Sequence, residues 1–448
     1  MANVRITSAA KALLRAAARS EIEAYFAGLT PAARQQRWIR AGNRYRISCI
    51  KTYEDDLRNN TVNDSDLIAY VAGSGPTHVI DAWSSLSRAV EAALRGDNYS
   101  AVHFAYYAEL RAAVALLACE GIGIFSRHHP IVQKTGRTSP GIKVQKRNRT
   151  TGQFGGSEPA ATHLAVWLAL KHWASLKSAS ELLDELIFPA GVSVSDWATA
   201  CGRKVPSRAI AQTWLTTWGL DLSVLDDDHN SRNLASYRPF EFRRSPPLDA
   251  VEVVEFVEEL WRAFEPSIGS RFQTLERLLL RRTLRKLGAA NPTQAQIETL
   301  GIDSALAAQW EAFLANHDDP KLFDLAEQPG SVDDPRCHLQ IISRAALLLY
   351  VATGAARRLL TEATYDRNTI QFWWRQHGQR RGLWDDAQSP ADPLELWADI
   401  EPSLDAAHAW RNSPGAATAS IRTWRRTHAA VLDDFGGIEL AGIWGLIP

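Results

Sequence analysis

RGDNYSAVHFAYYAELRAAVALLACEGIGIF, residues Arg95 to Phe125, is the most regular apolar stretch in the chain. Val102, Tyr106, Leu110, Ala113 and Leu117 recur at steps of four and three, which places them on one face of a helix. Asp97 or Asn98 can accept a free backbone N–H at its start. Gly121 and Gly123 end it, as glycine does where a left-handed residue is needed. On a helical wheel His103 lies within roughly 20° of Leu110, at the edge of the buried face. Tyr107 and Arg111 follow it one and two turns later, so the three form a polar seam beside the core. Such a seam either hydrogen-bonds within the core or faces a second helix and builds a site.

Outward from this helix, the composition is globular: 448 residues, 46% hydrophobic and 22% charged. That length implies two or three domains. The uninterrupted apolar runs, such as Ala112–Cys119, are too short for a bilayer. Charges interrupt the N-terminal segment, so no signal peptide is expected and a cytoplasmic location is. Cys49, Cys119, Cys201 and Cys337 are scattered without zinc or redox spacing and read as thiols in a reducing compartment. Sixteen tryptophans follow no repeat and read as helix-packing anchors.

Formal charge sums to zero but is unevenly spread. Residues 1–51 hold ten Lys/Arg against Glu21 and Glu23. Within them Arg37, Arg40 and Arg44 are interleaved with Trp38 and Tyr45, the composition of a nucleic-acid surface or of an exposed helix packing its tryptophan inward. Residues 126–157 carry Arg127, Lys134, Arg137, Lys143, Lys146, Arg147 and Arg149 with no acid. Glycine, threonine and two prolines read as a long irregular loop. Such a cluster either contacts phosphate, with RNA or DNA as the expected partner, or is a solvated, mobile loop that binds nothing.

The remaining segments read as helices, and no strand-period pattern of useful length is present, so the expected fold is all-α. Residues 52–77, ending in GSGPT, read as a turn-rich boundary. Three regions follow: a basic N-terminal helical segment (1–77), a helical domain carrying the basic loop (78–245), and a C-terminal helical domain (246–448). Acidic residues of 249–264 and Arg277, Arg281 and Arg285 of the next helix suit a hairpin whose charged faces meet. The C-terminal IELAGIWGLIP is expected to dock on the core. Nothing reads GxxxxGK[ST], HExxH, GxSxG or GxGxxG. His128–His129 has no nearby carboxylate, and 226–228 reads as a cap or loop. No metal or cofactor is expected.

Two segments, HFAYYAELRAAVALLA and RNLASYRP (Arg232 to Pro239), resemble the HEPN superfamily of prokaryotic helical domains over about residues 78–245. HEPN ribonucleases share an arginine, a polar residue, then a histidine near the start of a late bundle helix. Arg232 and Asn233 match, whereas the position five after the arginine is Tyr237. The resemblance implies metal-independent RNA cleavage, with Arg232 stabilising charge, Asn233 orienting, and His229 or His103 carrying the proton. It also implies a homodimer, because HEPN sites usually span two protomers. The expectation is a nucleic-acid-binding component of a bacterial anti-phage or stress defence system, with no membrane association. The alternative is a non-catalytic helical scaffold contacting other proteins in a complex.

Overall fold

The computed structural model describes residues 4–148, 150–204, 210–237, 248–267, 269–331, 333–384 and 389–448. Helix dominates, with five short strands among the described residues. The central helix is Asn98–Cys119. Asp97 caps it by accepting from the Ser100 N–H, and Gly121 follows it at φ +81°. Every residue from Ala112 to Glu120 is buried, because helices surround it. Asp64–Leu94 forms an antiparallel hairpin with it, Cys337–Glu362 lies against both arms, and Thr162–Trp173 and Leu225–Tyr237 flank it.

The turn expected over 52–77 is helical instead. Cys49–Asn59 is one helix, and Asp64–Leu94 runs unbroken through GSGPT and past the 77/78 boundary. The glycines here serve close packing rather than a turn. A Cβ on Gly73 would sit 2.5 Å from the Ile39 methyl, and one on Gly75 would sit 3.0 Å from the Cys119 sulfur. Pro76 removes a backbone donor. Around it, the Ser74 and Thr77 hydroxyls donate to the Tyr70 and Gly73 carbonyls, both at 2.7 Å.

The basic stretch 126–157 is likewise not an irregular loop. β2 (Pro130–Val132) pairs antiparallel with β3 (Thr138–Pro140). β4 (Lys143–Arg147) lies between β1 (Val4–Ile6) and β5 (Phe154–Pro159), again antiparallel. Ile131, Val132, Ile142 and Val144 anchor it in the core. Asp64 ties it to the hairpin by accepting from the Thr138 N–H and hydroxyl at 2.7 and 2.6 Å.

One buried apolar cluster extends from Ile6 to Ile447. Ten tryptophans are fully buried in the fold, as packing anchors should be. The 245/246 boundary lies outside the described residues, but Cys337–Glu362 is buried against the central helix on the far side of it. These two helices are long and apolar enough in composition to match a membrane-crossing helix. In the fold, 78% and 100% of their most apolar windows are buried, so they act as core helices. The C-terminal helix Glu439–Leu446 docks as expected, with the Trp444 indole donating to the Phe264 carbonyl at 3.1 Å. Ala250–Ala263 and Gln273–Lys286 touch, but the charged faces expected to meet take other partners. Arg281 and Arg282 bond Asp319 at 2.6 Å each, Arg411 takes Glu255 and Glu258, and Arg277 lies over Trp310 and Phe313.

Candidate functional site

The polar seam of the central helix faces Leu225–Tyr237. That helix opens with Asp226, Asp227 and Asp228 in its first turn, where carboxylates favour the positive end of the helix dipole. The acidic run is therefore helical, not a loop. Two turns on, Arg232 donates to the Tyr107 hydroxyl at 2.8 Å and to the Asn233 side-chain oxygen at 2.9 Å. Its carbon centre lies 5.4 and 5.0 Å from the Tyr106 and Tyr107 ring centroids. His103 Nδ1 and the Ser236 hydroxyl are 2.8 Å apart. The Asn233 amide donates to His229 Nε2 at 3.4 Å, which leaves Nδ1 as the protonated nitrogen of His229.

A third element completes the cluster. Thr162 opens the helix Thr162–Trp173 with its hydroxyl on the Phe125 carbonyl, 2.8 Å away. That places His163 with Nδ1 2.8 Å from the Tyr106 hydroxyl and its ring stacked on His229, centroids 4.9 Å apart at 14°. Arg232, Asn233, His229 and His103 thus lie together. His163 was missed: a lone histidine in the first turn of an apolar helix carries no local signal. Tyr237, five residues after Arg232, is 76% exposed.

Electrostatically the cluster is a set of neutral bases around a cation. Burial pushes His163 down to about 4, helped by His229 and Arg232. Burial, then Arg232, also lowers His103 and His229. Burial raises Tyr106, which keeps its hydroxyl protonated. Arg232 is 7% exposed, its Nε has no hydrogen-bond partner, and among the described residues it has no carboxylate partner. An arginine buried with only neutral oxygens around it is electrostatically unfinished.

Tyr107 and His163 also line a cleft of about 400 Å³ with Arg111, Arg127 and His78. The other predicted cations spread out. Lys134, Arg137, Lys143, Lys146 and Arg147 are exposed on the small sheets and their connections. Lys146 pairs with Glu158 at 2.5 Å, and Arg147 donates to the Gly152 carbonyl at 2.9 Å. Arg149 lies outside the described residues. Arg37 lines a neighbouring groove and Arg40 is exposed. Arg44 is consumed by Asp56, at 2.8 and 2.5 Å, and this pairing holds the Asp56 carboxyl down at about 2.

No family model, curated protein or solved structure matches the chain.

Proposed function

We propose that the chain binds single-stranded RNA in this cleft and cleaves it by attack of a ribose 2′-hydroxyl on the adjacent phosphate. The observation that carries the reading is Arg232: a buried guanidinium that has no carboxylate partner among the described residues and is surrounded by three histidines that are neutral at physiological pH. Arg232 does not itself line the cleft but donates to Tyr107, which does; a phosphate held beside Tyr107 supplies the missing anion, and its extra charge in the transition state strengthens the interaction. In the tautomer that donates Nδ1–H to the Tyr106 oxygen, His163 has Nε2 left as acceptor for the 2′-hydroxyl proton. The O2′–P bond forms and the P–O5′ bond breaks, with water protonating the leaving oxygen. The products are a 2′,3′-cyclic phosphate and a 5′-hydroxyl. Asn233 orients His229, which stacks on His163 and holds its ring.

Arg111 and Arg127 meet the flanking phosphates by charge. The cluster draws its histidines from three helices of one chain, so a partner protomer is not required to supply one. The HEPN resemblance extends the proposal to bacterial defence or stress response. The test is incubation of labelled single-stranded RNA with wild type, Arg232→Ala and His163→Ala. Each variant should lose about a hundredfold or more in rate, and the wild-type product should carry a cyclic phosphate.

A further inference from the structure

The cleft does not end at His78. The same residue walls a second groove, of about 470 Å³, lined by Arg37, Trp38, Arg46, Tyr70 and Thr77. The two grooves follow one another along the hairpin of Asp64–Leu94 and Asn98–Cys119. The antiparallel register is visible in the packing: Gly75 lies beside Cys119, Gly123 beside Val71, and Arg111 reaches His78 at 3.4 Å. From the level of Tyr107 to that of Tyr70 the track is about 20 Å long, at 1.5 Å of helix per residue.

Neither groove has a carboxylate among its described lining residues, although the chain carries 50 acids against 50 Lys/Arg; Asp81 lies 3.6 Å from Nδ1 of the shared His78. Among the described residues, Arg37 makes its side-chain bond to Gln36 and Arg46 makes its bond to the Ala41 carbonyl; neither has an acidic partner. A cavity of about 930 Å³ elsewhere is the opposite case. Arg282 and Arg285 line it, but Asp319 and Glu327 in the same wall neutralise them. Beside the acid-free groove, Trp38 packs on Phe372 and Trp373, with ring centroids 5.2 and 6.0 Å away, and stays partly exposed. Uncompensated arginines beside aromatic faces match a single strand, whose backbone takes the charge and whose bases stack.

We propose that the Trp38–Tyr70 groove is a second nucleotide subsite, so that the ligand is a single-stranded oligoribonucleotide running from the His163 cluster across His78 to Arg37 and Arg46. The assignment rests on the cleft reading above. It makes recognition depend on strand length: a dinucleotide fills the cluster end alone, and a longer strand spans both.

Binding is measured with an uncleavable 2′-O-methyl octaadenylate and the corresponding dinucleotide, and cleavage with their 2′-hydroxyl counterparts. Wild type should bind the octamer about tenfold or more tighter than the dinucleotide. In Arg37→Ala/Arg46→Ala, which removes no core packing, that ratio should fall to within about threefold, and the salt slope of octamer binding should shrink by about 1.4. An unaltered ratio overturns the subsite. Octamer binding through Arg37 and Arg46 without cleavage keeps the subsite and overturns the ribonuclease reading. Cleavage with no length advantage does the reverse, and no binding of the octamer overturns both.

Discussion

Arg344 donates to both carboxylate oxygens of Asp228, at 2.7 and 2.6 Å, with neither side chain exposed to solvent. The pair ties Cys337–Glu362 to the residue beside His229. Arg344 also donates to the Ala326 and Gln328 carbonyls, and Glu109 lies 3.8 Å from it. Burial and the charge of Asp228 raise Glu109 well above the carboxylate range, so Glu109 is the protonated member. Removing one partner of a buried pair strands the other. Arg344→Met should therefore cost about 3–5 kcal/mol in chemical denaturation. Adding Asp228→Leu and Glu109→Leu should restore most of it. A single variant within 1 kcal/mol of wild type, on the order of measurement scatter, would show that the pair does not clamp the helices.

Acid should unfold the chain through two other histidines. His129 is fully buried, accepts from the Phe125 N–H at Nδ1 and donates to the Ala160 carbonyl at Nε2. His338 is buried with Nε2 unpartnered. Burial pushes each down to about 4. The unfolded chain binds these protons near pH 6.5, so stability is whole above that pH and is lost as pH falls toward 4. The loss should reach about 2 kcal/mol per histidine at pH 5. Urea melts at pH 7 and pH 5 measure it, and His338→Leu should flatten the dependence. Equal midpoints at the two pH values would contradict the argument.

At Gly73, helix propensity and packing pull in opposite directions. Alanine gains about 1 kcal/mol of propensity, but its Cβ would meet the Ile39 methyl at 2.5 Å. Overpacking of that kind costs about 1–3 kcal/mol. Gly73→Ala should lower the thermal midpoint, and adding Ile39→Ala should recover part of the loss. A Gly73→Ala protein more stable than wild type would mean that the 36–40 segment yields freely.

How far the sequence could be read depends on the range of the interaction involved. The central helix was legible because its cap, period and terminal glycine are local, and its polar seam does face a second helix. The strands of 126–157 were not, since three to six residues holding one or two apolar side chains make no period. GSGPT misled because glycine serves close approach as readily as it serves a turn. His163 and the partners of the charged helices were hidden for one reason: Tyr106 to His163 and Glu258 to Arg411 are contacts between residues far apart in sequence.

The most direct measurement is the pH–rate profile of single-stranded RNA cleavage by wild type beside Arg232→Ala. Burial lowers His163, so the base stays neutral well below pH 6.5. The rate should hold from about pH 8 to about pH 5.5 and fall as His163 takes a proton near 4. Arg232→Ala should depress the whole profile about a hundredfold or more. No cleavage at any pH, or a profile that Arg232→Ala leaves unchanged, would contradict the account.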